Sequence, residues 1–126
     1  MPITVGTSNF ESLSALGEAI GEVISGLSEP ALVIASSDMN HYESDSVTRV
    51  KDRRAIDQLL ALDPRGLYNV VHKADISMCG YGPAVVMLTA ARKLGATQAE
   101  LIRYATSGDV SGDRDMVVGY AGVAVY

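Results

Sequence analysis

At 126 residues and 48% hydrophobic, the chain has the length of one globular domain and enough apolar surface to bury a core. A formal charge of -5, with Lys and Arg scattered apart from an Arg49–Arg54 run that Asp52 interrupts, leaves no basic face and excludes a nucleic-acid partner. One cysteine rules out an internal disulfide framework and suits a reducing, cytoplasmic compartment. No secretory segment is recognised, and Glu11, Glu18 and Glu22 make the first helix-like stretch amphipathic, so no membrane partner is expected.

Pro2-Ile3-Thr4-Val5-Gly6 reads as a short apolar strand closed by glycine. Ser8-Asn9-Phe10-Glu11 fits a capping box, with Ser8 as the cap. Leu13, Leu16, Ile20, Val23, Ile24 and Leu27 then recur at helical steps, and Pro30 helps end that helix. Ala31-Leu32-Val33-Ile34-Ala35 is a continuous apolar run, the pattern of a strand covered on both faces. Strand, helix, strand in that order predicts parallel pairing through a right-handed crossover. Asn40 to Ser46 is loop-like. Helices are predicted from Val47 to Leu62 and from Gly66 to Ala74, and a third carries Pro83 in its first turn and ends at Gly95. Leu101 to Ala105 and Met116 to Tyr126 read as strands, separated by the turn-rich Ser107–Asp115 stretch. The fold class is α/β: one domain over residues 1–126, a mixed sheet flanked by helices.

Two stretches carry chemistry. Cys79 sits just ahead of a helix start, where unpaired N–H groups and the dipole favour an anion, and the thiolate is both nucleophile and metal ligand. Gly80 and Gly82 remove side chains around it and are the positions where a ligand or cofactor could approach the backbone. A free cysteine is otherwise commonly a small buried hydrophobe. Asp38 and His41 follow the apolar run, where α/β sheets gather their functional groups. His41 suits a metal ligand or proton acceptor, with Asp38 as its orienter. Ser36-Ser37-Asp38 with Asn40 would also serve as a turn and helix cap. His72 reads as a surface residue. Asp109, Asp113 and Asp115 do not make an EF-hand loop. Gly80-Tyr81-Gly82 lacks the third glycine of a dinucleotide fingerprint, and no Gly-x-Ser-x-Gly elbow occurs.

Taken together, Ser36-Ser37-Asp38-x-x-His41-Tyr42, Cys79-Gly80-x-x-Pro83, Tyr104-x-x-Ser107-Gly108-Asp109 and Val118-Gly119-Tyr120-Ala121, with the opening Pro2-Ile3-x-Val5-Gly6, resemble the Memo family. Its bacterial and archaeal members are called AmmeMemoRadiSam system protein B. The resemblance implies a three-layer α/β/α fold similar to the class III extradiol (LigB-type) dioxygenases, of which this chain looks like the C-terminal half. It also implies a metal-binding pocket holding iron or copper, with Cys79 as a ligand and the Asp38–His41 pair lining it; within this chain Cys79 and His41 are the candidate metal ligands and Asp38 and His41 the candidate catalytic residues. In the family two further histidines come from the N-terminal half and have no counterpart here. A homo-oligomer or a separately encoded N-terminal half is therefore the expected partner. The function implied is metal-dependent redox or dioxygenase-like chemistry on a small molecule. The alternative is a non-catalytic module binding a peptide or partner protein.

Overall fold

Helix α1 (Phe10–Ser25) starts one residue later than the capping box places it. In the computed structural model, which describes residues 1–126, Asn9 and not Ser8 is the cap. Its Oδ1 accepts the Ser12 N–H at 2.9 Å and the Ser12 hydroxyl at 3.0 Å. Helix α2 (Asp45–Leu60) is capped by Ser44, and α3 (Pro64–Lys73) by Asp63, with Pro64 filling a first-turn position that needs no N–H. Helix α4 (Tyr81–Lys93) is apolar through most of its circumference, and Val85 and Leu88 are fully buried between α1 and α3. The α1–α4 contact is close because Gly17 has no side chain. A Cβ there would collide with Thr89 and the Val86 carbonyl.

Three strands complete the domain: β1 (His41–Glu43), β2 (Ala99–Thr106) and β3 (Val117–Val125). They form one antiparallel sheet in the order β1-β3-β2, with α2 packed against all three. A single turn, α5 (Gly108–Ser111), interrupts the turn-rich connection between β2 and β3. The α/β class holds, but the sheet is wholly antiparallel and not mixed. Neither Pro2–Gly6 nor Ala31–Ala35 is a strand, and the predicted parallel crossover is absent. An apolar run becomes a strand only where a neighbour completes its ladder. Ala31–Ala35 makes no backbone hydrogen bond, and Leu32 and Ile34 stand 84% and 79% exposed. Behind this segment lies an apolar cavity of about 640 Å³, walled by Met78 and Met87 on one side and by Val123 and Val125 of β3 on the other. No helix is long and apolar enough to cross a membrane.

Candidate metal centre

The stretch that leads into β1 lies against the loop that leads into α4, and this meeting builds the site. Asp38 donates its backbone N–H to Cys79 Sγ at 3.3 Å, across 41 residues of sequence. Ser37 seals the contact: its hydroxyl accepts the Gly80 N–H at 2.8 Å and donates to the Asp38 carbonyl at 2.6 Å. Gly80 and Gly82, the positions where room for a ligand was predicted, are both buried, and protein occupies the space beside them. A Cβ on Gly80 would collide with the Ser36 carbonyl and Ser37 Cβ, whereas one on Gly82 would pack 3.4 Å from Leu13. Gly80 is thus the residue that lets the two loops touch.

His41 Nε2 lies 3.5 Å from Asp38 Oδ2, and one ligand atom from each of Asp38, His41 and Cys79 falls within 4.8 Å of the others. The His41 ring is only 16% exposed while the Asp38 carboxylate is 49% exposed, so the cluster has a protein wall on one side and solvent on the other. Tyr42, next to His41, has φ 62°, and a bulge separates His41 from Glu43 in the β1–β3 ladder. A non-glycine residue in the left-handed region costs on the order of 1–3 kcal/mol, and here ladder bonds on both sides sustain it.

A metal bonded at about 2.0–2.3 Å to nitrogen and sulfur keeps neighbouring donors roughly 3.3–3.8 Å apart. The His41–Asp38 pair already has that separation, and the exposed Cys79 thiol, within 4.8 Å of both, needs only a modest side-chain rotation to match it. One sulfur, one nitrogen and one oxygen, with an open side, is a donor set that accepts iron, copper or zinc. The residues fit a metal.

Beneath the cluster lies a polar layer that sequence reasoning missed. Asn40 and Asp52 are fully buried. Asp52 accepts the Asn40 N–H at 2.8 Å and the Tyr104 hydroxyl at 2.7 Å. Burial pushes the Asp52 carboxyl above its ordinary value, with Tyr104 and the Asn40 amide opposing, and burial and then Asp52 push the Tyr104 hydroxyl up. A Cβ on Gly119 would overlap the Asp52 carboxylate. Tyr104 and Gly119 therefore act as supports of Asp52. The signal for Asp52 was present in the sequence: it shares a helix face with Thr48, Ile56 and Leu59, all buried.

Other residues stay outside the site. His72 is exposed, with Nδ1 2.7 Å from the Tyr68 carbonyl. Both carboxylate oxygens of Asp109 accept from Arg49 Nη2, at 2.7 and 2.8 Å, and Oδ2 also accepts the Thr106 N–H at 2.9 Å. Its carboxyl is held below the ordinary range by that backbone N–H and then by Arg49. Asp113 accepts the Asp115 N–H within a turn.

An α/β domain with a Cys-His-Asp cluster gathered between two loops is the class these features define. The family comparison agrees with the motifs: the model for "Memo-like protein" matches residues 1–124. The chain belongs to that family. It is 44% identical over 121 residues to a MEMO1 family protein of Methanothermobacter thermautotrophicus, covering 96% of this chain and 44% of that one. It is 43% identical over 125 residues to one from Methanosarcina mazei, covering 99% and 47%, and 46% identical over 121 residues to one from Saccharolobus solfataricus, covering 95% and 42%. The chain thus spans somewhat under half the length of these relatives.

Proposed function

We propose that the protein is a metal-binding Memo-like domain, with Cys79 and His41 as ligands and Asp38 as a third donor. The observation that carries this reading is the convergence of a thiol, an imidazole and a carboxylate from two loops into one half-open cluster. Iron or copper is the metal, and when bound it supplies redox chemistry on a small molecule in the cytoplasm. The chain's own residues do the rest. Where Asp38 does not itself take the metal, its carboxylate, facing solvent and 3.5 Å from His41 Nε2, would be placed to take or hold a proton beside it. The three-layer arrangement similar to the extradiol dioxygenases belongs to this reading. So does a partner polypeptide, either a second copy or the part of a family member that this chain does not span. Leu32, Ile34 and the apolar cavity behind them favour such a partner, and support the second reading of a non-catalytic binding module.

The test is elemental analysis of protein purified without chelators, alongside Cys79→Ser and His41→Ala. Stoichiometric iron or copper in the wild type, lost in both variants, supports the site. Equal metal content in all three overturns it. Oxygen uptake with a panel of catechols then separates a redox enzyme from a binding module.

A further inference from the structure

Asp38 and Cys79 belong to segments that no strand ladder joins, since β1 pairs only with β3. A pair of polar side chains joins them further along the same two segments. Asn40 Oδ1 accepts the Ser77 N–H at 3.0 Å and faces the Ser77 hydroxyl at 3.1 Å. Its Nδ2 donates to Glu43 at 2.7 Å and to Thr48 at 3.3 Å. Its backbone N–H goes to Asp52, and its carbonyl accepts the Gly119 N–H at 3.0 Å. Every polar group of this buried residue is thus engaged, so Asn40 cannot shift without breaking bonds in a region that offers no water in exchange. Ser77 passes this rigidity to the site. Its hydroxyl accepts the His41 N–H at 2.7 Å, and its single proton goes to Asn40 Oδ1 or to the His41 carbonyl at 3.2 Å. Ser77 lies two residues before Cys79.

We propose that Ser77, held by Asn40, is the positioning residue of the metal site: it ties the backbone of His41 to the loop that carries Cys79 and so sets the separation of the two ligands. This inference rests on the metal-site reading and deepens it. Ser77 touches neither the metal nor a substrate, and it acts through His41. Outer partners that orient ligands typically change metal affinity about 10–100-fold when removed. A purely structural serine would instead change stability. Ser77 is exposed, so losing its hydroxyl opens no cavity and leaves the His41 N–H within reach of water.

The experiment is Co²⁺ titration of the wild type, Ser77→Ala, Ser77→Thr and Cys79→Ser, followed by the thiolate-to-cobalt charge-transfer band and the visible ligand-field bands, with thermal melting in parallel. The wild type should show the charge-transfer band and Cys79→Ser should lose it. Ser77→Ala should melt with the wild type, bind Co²⁺ about 10–100-fold more weakly and show altered ligand-field bands. Ser77→Thr, which restores a hydroxyl at the same carbon, should recover both affinity and spectrum. Wild-type affinity and spectrum in Ser77→Ala, with the band present in the wild type, overturn the positioning role alone. Absence of the band in the wild type overturns the metal site and the positioning role together.

Discussion

Replacing Asp52 with alanine removes the acceptor of two hydrogen bonds beneath the site. The Asn40 N–H is fully buried, and leaving it unpaired costs about 1–3 kcal/mol. Tyr104 is only half-buried, so its hydroxyl can be partly rehydrated, at a cost of roughly 0.5–1.5 kcal/mol. Relief of a carboxylate that burial disfavours offsets part of this sum. The net loss should be about 1–4 kcal/mol, a sizeable share of the roughly 5–15 kcal/mol typical of a domain. Asp52→Asn keeps the shape and the acceptor for Asn40 and should cost about 1 kcal/mol. Urea denaturation followed by far-UV circular dichroism measures both; the chain has no tryptophan, and its six tyrosines give a second probe. The pH dependence carries its own sign. A carboxyl whose folded pKa is raised contributes stability that is fully present below the unfolded value of 3.8 and is lost as pH rises through the folded value. The gap between wild type and Asp52→Asn should therefore narrow as pH rises from about 4 to 7. An Asp52→Ala loss below about 0.5 kcal/mol, the range of an ordinary surface change, would refute this account of the polar layer.

Gly80→Ala should force the Ser36–Ser37 backbone away from Cys79, lowering stability by about 1–3 kcal/mol and weakening metal binding, as read by urea titration and Co²⁺ affinity. Its φ of -106° is open to any residue, so a loss in stability would report the collision and not backbone strain. On the proposed reading that a second copy covers this segment, the wild type should self-associate by light scattering and replacing Leu32 and Ile34 together with lysine should abolish it while helical dichroism is retained; identical masses for the two proteins at every concentration would show that this segment does not mediate association. Asp45 and Asp109 have carboxyls held below the ordinary range, by Arg49 first for Asp45 and by the Thr106 N–H first for Asp109. Their contribution is present above the unfolded values near 3.8 and is lost as pH falls through the folded ones, so Arg49→Met should flatten the acid limb of a stability–pH curve.

The helices were legible from the chain alone because their bonds close within four residues. Apolar spacing, Pro64 and Pro83 placed α1 to α4 to within a few residues, and the one cap misassigned, Ser8 for Asn9, lay a single position away. Asp38, His41 and Cys79 were legible too, as residue types at loop positions that core packing does not require. That they share a pocket was expected on the premise that both loops open at one edge of a sheet; they do meet, but Ala31–Ala35 is no strand, and the meeting depends instead on Gly80 admitting Ser36 and Ser37. The remainder was decided in three dimensions. Ala31–Ala35 has the composition of a strand, yet a strand exists only with a ladder partner, and none of this chain's strands takes that place. Asn40, Ser77 and Asp52 are polar residues of the kind usually found at surfaces, and what distinguishes them is a set of hydrogen bonds reaching across 12 and 37 residues. Local bonding leaves a periodic mark in a sequence; a ladder or a polar clamp closed across dozens of residues leaves none, because its partners are chosen by the fold.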